Sequence, residues 1–217
     1  NLSHEIRTPM NAIIGFSDLL MDDKLSEDYK KKYLKIINTS GKSLVSIIED
    51  LIEMSKIDAK QIAPKFKGLN IEKCLNELYN TLKVTIPDDK NIKFYQLGNN
   101  CKLPNDVLTD EIKLKQIIVN LLTNAIKFTD NGHVAFGCSI CPNHKFLEFR
   151  VEDTGIGISE KDLKVIFDRF RRVEDDYSIS LSGLGLGLSI SKAYVEMLGG
   201  EITVESVFGG GSVFKFT

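Results

Sequence analysis

Two helical apolar repeats fill the N-terminal part of the chain and constrain its fold more than any other feature. In residues 2–20 the apolar positions recur at spacings of four and three, which is typical of a helix that packs in a bundle. Similar spacing returns between about Tyr29 and Ala59, after the polar segment 22–28. The two repeats consist of Leu2, Ile6, Pro9, Ile13, Phe16 and Leu20, and of Leu34, Ile37, Gly41, Leu44, Ile48 and Leu51.

Two antiparallel helices of this kind bury too little apolar surface to be stable on their own. We therefore predict that two copies of the hairpin 1–62 associate into a dimeric four-helix bundle. Gly41 on the second repeat costs about 1 kcal/mol relative to alanine, and a close approach of two helices explains it most simply. The sequence leaves one alternative open, a hairpin that packs on a second domain of its own chain.

The first repeat carries a histidine, His4, that lies off the apolar seam and is expected to face water. Thr8 lies one turn later on nearly the same face, and Glu5 is placed beside the imidazole. Pro9 has no N–H to donate and is expected to bend the helix. An isolated surface histidine usually has no role. A proline inside a helix costs about 3 kcal/mol, however, and a neutral imidazole is a competent nucleophile.

After residues 62–64 the helical periodicity gives way to a mixture of short strands and helices. The candidates do not alternate as regular βαβ units, so we predict an α+β sandwich with helices on one face of a sheet, in a second domain at 63–217. Strand candidates lie at about 65–67, 92–97, 106–109, 133–141, 146–153, 201–206 and 212–216, and helix candidates at about 70–83, 110–127, after Ser159 and 186–198.

The helix predicted at 110–127 has a polar stripe next to its apolar face. The stripe contains Gln116, Asn120, Asn124 and Lys127, each three or four residues from the next. Asparagine is a weak helix former, whereas its carbonyl oxygen is a suitable Mg²⁺ ligand beside phosphate oxygens. The stripe therefore favours a phosphate and metal site, and the alternative is a solvated helix face.

The strand predicted at 146–153 alternates apolar and charged residues, which places Asp153 on the apolar face. An unpaired buried carboxylate is costly, so Asp153 needs a hydrogen-bond donor. Gly155 and Gly157 allow another molecule to approach the backbone closely. These features suit a flat ligand with an amino group, such as adenine. The alternative is a carboxylate that accepts from nearby backbone N–H groups.

A glycine repeat, Gly183–Leu188, opens the helix predicted near Ser189, where free backbone N–H groups could bind a phosphate. It follows a polar segment, Arg171–Ser182, that predicts a loop. No strand precedes the repeat and no Gly-Lys-Ser/Thr follows it, which excludes the Rossmann fingerprint and the P-loop. Phe167 and Phe170 precede the loop.

Five segments of the chain resemble, in order, the sequence boxes of sensor histidine kinases, the ATP-dependent kinases of two-component signalling. Ser3–Pro9 resembles the H-box, Asn120–Phe128 the N-box, and Asp153–Ile158 the G1 box. Phe167–Phe170 resembles the F-box and Gly183–Leu188 the G2 box, with Leu184 where that box commonly has Thr or Ser. The residues that the resemblance assigns to ATP are Asn120, Asn124, Lys127, Asp153, Gly155, Gly157, Ile158, Phe167, Phe170, Gly183, Leu184, Gly185, Leu186, Gly187 and Leu188.

The resemblance implies a Bergerat-type ATP-binding domain that phosphorylates His4 from Mg²⁺-ATP. It assigns Asn124 to the metal, makes Glu5 the expected general base, and gives Thr8 a part in a reverse phosphatase reaction. It implies a homodimer formed through 1–62 and a response regulator receiver domain as the partner that accepts the phosphoryl group on an aspartate. The rival functions are a Bergerat-class ATPase that does not phosphorylate itself and a scaffold with decayed nucleotide binding.

The bulk composition excludes several other classes of protein. A net charge of −2 gives no general attraction to nucleic acid or to anionic membranes. No apolar run reaches the roughly 18 residues of a membrane span. Cys138, Cys141 and His144 have zinc-ligand spacing, but a structural zinc site needs four ligands and no second pair follows. We expect the cysteines to be reduced thiols of a cytoplasmic protein. We also expect the chain to be the cytosolic piece of a longer sensor.

Overall fold

The computed structural model describes residues 2–22, 24–98, 103–104, 106–141, 146–171 and 184–217. The chain divides into two compact units. The first comprises Asn1–Gln61 together with Asp168–Gly187, and the second comprises Ile62–Phe167 together with Leu188–Thr217. The domain boundary placed after residue 62 stays a prediction.

The first unit is built on a helical hairpin of α1 (Leu2–Leu19) and α2 (Glu27–Asp58). α1 runs through Pro9, and the six residues of its predicted seam are all partly buried. In α2 the residues buried deepest are Ile47 and Met54, whereas Leu34 and Ile48 of the predicted seam stay 56% and 45% exposed. The apolar residues of α2 cover a wider arc than one seam, and α1 covers only part of it.

The second unit contains a five-stranded sheet with the strand order β2-β4-β5-β7-β6 and a separate antiparallel pair, β1-β3. In the larger sheet β2 and β4 are parallel, and the other neighbouring strands are antiparallel. The strands are β1 (Lys67–Leu69), β2 (Asn91–Gln96), β3 (Val107–Thr109), β4 (Asn131–Ile140), β5 (Leu147–Asp153), β6 (Ile202–Val207) and β7 (Gly211–Phe216). The helices after α2 are α3 (Ile71–Lys83), α4 (Glu111–Phe128), α5 (Glu160–Leu163) and α6 (Gly187–Met197).

The core of the second unit lies between the sheet and α4, which contacts β4 and β5. The apolar face predicted for α4 is buried along its whole length, and Phe136 and Val151 of the sheet are buried as well. The α+β class is therefore confirmed, with strand and helix bounds close to those the sequence predicts. The buried residues of α4 are Lys113, Leu114, Ile117, Ile118, Leu121, Leu122, Ala125 and Ile126.

Candidate functional site

His4 lies on the first turns of α1 with its side chain exposed to solvent. The hydroxyl of Thr8 donates to the backbone carbonyl of His4 at 3.1 Å. Pro9 cannot donate to the carbonyl of Glu5, and a threonine hydroxyl bonded to the i−4 carbonyl also favours a bend in the helix. The turn therefore presents an imidazole that a second reactant can approach, with Glu5 next to it in sequence.

α4 carries the predicted phosphate stripe, and Asp110 fixes where this helix begins. The Asp110 carboxylate accepts from the backbone N–H groups of Ile112 at 3.1 Å and Lys113 at 3.2 Å, as an N-cap residue does. It also accepts from the backbone N–H of Lys65 at 2.8 Å. Burial raises the pKa of Asp110, but these hydrogen bonds outweigh burial and hold the pKa below its usual value.

The polar stripe of α4 runs along a partly exposed face of the second unit. Asn120, Asn124 and Lys127 are each partly buried. The Asn120 side-chain N–H₂ group donates to the hydroxyl of Ser191 on α6 at 2.8 Å, so this asparagine also joins two helices. The Lys127 ammonium lies 5.1 Å from the ring centroid of Phe128. Asn124 provides an amide oxygen on the same stripe, one turn before Lys127.

Asp153 ends β5 on the same face as the buried Phe149 and Val151, as the alternation of the strand predicts. Its carboxylate accepts from the backbone N–H of Gly155 at 2.8 Å and from that of Ser212. Burial raises the pKa of Asp153 despite these bonds. The backbone contacts of the alternative interpretation are thus present. A carboxylate has about four acceptor positions, so it retains capacity for a ligand donor.

Gly155 and Gly157 are required by the packing of the protein's own backbone. A Cβ atom on Gly155 would collide with the carbonyl oxygen of Phe128 at the end of α4. Gly157 has φ of +67°, and a Cβ there would collide with the carbonyl oxygen of Val207. The sequence suggested close approach of a ligand, and the close approach seen here is that of α4 and β6.

The turn between β6 and β7 holds the loop that follows Asp153. The hydroxyl of Ser206 accepts from the backbone N–H of Ile158 at 2.8 Å and donates to the carbonyl of Gly211 at 2.7 Å. Its oxygen lies 3.0 Å from the hydroxyl of Ser212. The sequence analysis missed both serines. The available signal is a small hydroxyl residue on each side of a three-glycine turn.

The residues of the predicted F-box have different environments. The ring of Phe167 meets that of Phe214 edge-on at 6.4 Å between centroids, which is a core contact of the second unit. Phe170 is 47% exposed and has φ of +60°, a left-handed conformation that is uncommon for residues other than glycine. Between them, Arg169 forms a two-pronged ion pair with Asp58 of α2 in the first unit.

The glycine repeat leads into α6, which begins at Gly187. Leu184 and Leu186 are buried, at 4% and 0% exposure, so the departure at Leu184 suits a packed environment. Gly185 has φ of +67°, and a Cβ there would collide with the carbonyl oxygen of Arg171. Leu188, in the first turn of α6, is partly buried. Gly183 lies outside the described residues.

A cavity of about 490 Å³ lies at the opposite end of the sheet from Asp153. It is lined mainly by apolar residues, among them Ile140, Leu147 and Phe149. Its polar side chains are few and include Asp106. None of the predicted ATP-binding residues lines it. In the part of the chain that the structure describes, no three His, Cys, Asp or Glu side chains form a metal-binding group.

Two family models match most of the chain, one on each side of residues 61–108. Residues 109–217 match the model described as "Histidine kinase-, DNA gyrase B-, and HSP90-like ATPase". Residues 1–60 match "His Kinase A (phospho-acceptor) domain". The chain belongs to the sensor histidine kinase family. This confirms the resemblance seen in the sequence to a kinase family with an ATPase-type domain.

Similar proteins align over most of this histidine kinase chain. The aerobic respiration control sensor protein ArcB homolog of Haemophilus influenzae is 39% identical over 91% of the chain and 59% of its own length. The structure of ShkA in complex with AMPPNP has a TM-score of 0.74 and 29% identity, covering 99% of this chain and 44% of ShkA. That of histidine kinase ThkA with response regulator protein TrrA has a TM-score of 0.76 and 27% identity, covering 99% and 58%.

The kinase chain therefore spans about three fifths or less of the length of these relatives. Among the described residues, no helix is long and apolar enough to cross a membrane. The roles of individual site residues stay predictions.

Proposed function

We propose that this histidine kinase transfers the γ-phosphoryl group of ATP to His4. The observation that carries the proposal is the exposed imidazole of His4 inside the segment that matches a phospho-acceptor domain, in one chain with an ATPase domain. A ring nitrogen of a solvent-facing imidazole is accessible as a nucleophile and can attack phosphorus. The nucleotide-binding elements lie in the other family match.

The transfer forms one bond and breaks one bond. A ring nitrogen of His4 attacks the γ-phosphorus, an N–P bond forms, and the bridging P–O bond to the β-phosphate breaks, so that ADP leaves. The proton on the other ring nitrogen passes to the carboxylate of Glu5, which acts as general base and fixes the reactive tautomer. Positioning and charge neutralisation supply most of the acceleration.

Residues 109–217, which match the ATPase model, offer groups that suit each part of ATP. The desolvated carboxylate of Asp153 accepts a hydrogen bond from the adenine amine. A hydrogen bond to a charged acceptor is stronger than one between neutral groups. Lys127 faces the phosphates, and the backbone N–H groups at the start of α6, after Gly185, bind a phosphate oxygen. Asn120 contributes at the edge of the site. The remaining predicted contacts are Gly155, Gly157, Ile158, Phe167, Phe170, Gly183, Leu184, Leu186, Gly187 and Leu188.

The amide oxygen of Asn124 is the proposed metal ligand. Amide and phosphate oxygens are ligands that Mg²⁺ accepts, and the partly exposed position of Asn124 beside Lys127 on α4 leaves room for water ligands. When bound, Mg²⁺ neutralises charge on the phosphate oxygens.

The phosphoryl group of His4 then passes to an aspartate of a response regulator receiver domain. Support comes from ThkA, whose structure was determined in complex with a response regulator protein. The exposed turn that carries His4 offers a surface where such a partner can dock. We also assign Thr8, whose hydroxyl is hydrogen-bonded to the carbonyl of His4, a part in the reverse phosphatase reaction.

We assign dimerisation to an apolar surface that the hairpin leaves uncovered. The surface comprises side chains of α1 and α2 that are each 43–55% exposed. Their spacing of three and four along α2 is that of a helix seam, so a second copy can cover them in a four-helix bundle. The members of this surface are Met10, Ile14, Val45, Ile48 and Ile52.

Incubation with γ-labelled Mg²⁺-ATP tests the proposed transfer. The parent chain should acquire label that is labile in acid and stable in alkali, as a phosphoramidate is. The variant His4→Gln should acquire none, whereas His133→Gln, a matched loss of imidazole on β4, should be labelled as the parent is. Label that persists in His4→Gln would exclude His4 as the acceptor.

A further inference from the structure

The last carbonyl oxygens of a helix have no partner within the helix and must be satisfied from outside. At the end of α4, the Lys90 ammonium donates to the carbonyl oxygens of Ile126 at 2.8 Å, Lys127 at 2.8 Å and Thr129 at 2.9 Å. The intervening carbonyl, that of Phe128, accepts from the backbone N–H of Ile156 at 3.2 Å. Four successive carbonyls thus have partners that come from other segments.

The position of Lys90 leaves its ammonium little freedom. Its side chain is 18% exposed and forms an ion pair with Asp130 at 3.1 Å. The next residue, Asn91, donates its backbone N–H to the carbonyl of Asp130 at 2.9 Å, and the parallel pair β2–β4 starts there. A lysine ammonium has three N–H donors, and three carbonyls take them. Lys90 therefore closes α4 as a fixed cap rather than as a mobile surface cation.

The helix end that Lys90 closes is next to both parts of the proposed nucleotide site, the phosphate-facing residues and the adenine-facing loop. Lys127 supplies one of the three carbonyls, and Asn124 lies one turn earlier on the same stripe. The carbonyl of Phe128 packs against Gly155 and is bonded to Ile156, in the loop that follows Asp153. A displacement of this turn therefore moves the phosphate-facing residues and the adenine-facing loop together.

We infer that Lys90 is a positioning residue for nucleotide binding, holding the last turn of α4 where Asn124, Lys127 and the Gly155 loop meet ATP. The inference rests on the proposed function of this site. Without the ammonium, three carbonyl oxygens lose their donor in a place where water has little access. The helix end then relaxes towards solvent. The phosphate-facing residues and the adenine-facing loop then no longer keep a fixed distance from each other.

Calorimetric titration of the full chain with Mg²⁺-ATP tests the inference. Lys90→Met keeps the length of the side chain and removes the ammonium, and its dissociation constant for ATP should rise at least about tenfold. Lys93→Met is the matched control, because it makes the same change at an exposed position of β2, and it should bind as the parent does. In autophosphorylation, Lys90→Met should raise KM for ATP more than it lowers kcat at saturating ATP.

Each outcome decides between the alternatives. If Lys90→Met unfolds at the assay temperature, Lys90→Gln replaces it, since its amide still donates to two carbonyls; a dissociation constant at least about threefold above the parent's is then expected. Parent-like ATP affinity in a folded Lys90 variant, even with a lower melting temperature, would make Lys90 a helix cap only and leave the proposed function standing. Failure of the parent itself to bind ATP would overturn both.

Discussion

At the scale of single residues, Asp153 is a carboxylate whose burial lowers the stability of the fold. Its carboxylate sits on the buried face of β5, where desolvation raises its pKa. A raised carboxyl pKa means that its contribution to stability is complete below the ordinary value of 3.8 and is lost as pH rises through the raised pKa. Ionisation of this group therefore opposes folding, which fits the proposed role of Asp153 as the acceptor for the adenine amine.

Asp153→Asn should separate stability from binding. At pH 7 its melting temperature should equal or exceed that of the parent, because an uncharged amide replaces a buried anion. Its affinity for ATP should fall at least about tenfold, as a charge-assisted hydrogen bond is lost. Thermal unfolding and ATP titration measure the two effects, with Glu152→Gln on the opposite face of β5 as control. A lower melting temperature with unchanged ATP affinity would make Asp153 a cap for backbone N–H groups only.

The residue scale also shows where sequence reasoning succeeds and where it stops. The alternation of one strand was enough to place Asp153 on the buried face, because side-chain direction in a strand has a fixed period. Lys90 gave no such signal. It lies between elements, and its partners are backbone carbonyls 36–39 residues away, which any residue type supplies. Gly155 and Gly157 were singled out for close approach of a ligand, which stays a prediction; the groups that approach them in the fold are backbone carbonyls of the protein itself.

At the scale of elements, α4 is the support of the candidate site and is held at both ends. At the start of α4 the Asp110 carboxylate accepts hydrogen bonds from backbone N–H groups, and at the end of α4 Lys90 donates to backbone carbonyls. Its apolar face and its polar stripe were both evident in the sequence, since each follows the helical period. In α2 the same reasoning chose Ile48 for the seam, whereas the side chain buried there is Ile47. A broad apolar arc does not tell which part of it meets α1.

Loss of the N-cap should weaken the fold in a pH-dependent way. Asp110→Ala should lower the free energy of unfolding at pH 7 by about 1–2 kcal/mol. Because the pKa of Asp110 is lowered, its stabilisation is present above 3.8 and disappears as pH falls through the lowered pKa. The difference between parent and variant in urea unfolding should therefore shrink at acid pH. Asp110→Asn keeps an acceptor and should retain most of the stability at pH 7; an equal loss in both variants would contradict capping.

At the scale of the whole molecule, the chain joins a phospho-acceptor hairpin to an ATPase domain. The sequence predicts that the hairpin dimerises because two antiparallel helices bury too little apolar surface on their own. The exposed side chains on α1 and α2 fit that expectation. Contacts between two proteins determine which response regulator binds, so the partner does not follow from the sequence pattern or the fold of one chain.

Ile48→Asp should break the proposed dimer while leaving each hairpin folded. The side chain is 45% exposed in the single chain, so a charge is tolerated there, but a four-helix bundle would bury two such charges. Sedimentation equilibrium should give twice the chain mass for the parent and the chain mass for the variant, with equal helical circular dichroism. Ser46→Asp adds the same charge at an exposed polar position and should stay dimeric. A parent that sediments as a monomer would refute the dimer.

If the proposed function holds, ATP turnover by this chain is self-phosphorylation at His4. The most direct test measures ADP formed and label retained on protein in the same reaction with γ-labelled Mg²⁺-ATP, for the parent and for His4→Gln. One ADP is expected for each labelled parent chain, and neither product should exceed background in His4→Gln. Equal ADP formation in both proteins, without label, would contradict it and identify an ATPase that works without phosphorylating itself.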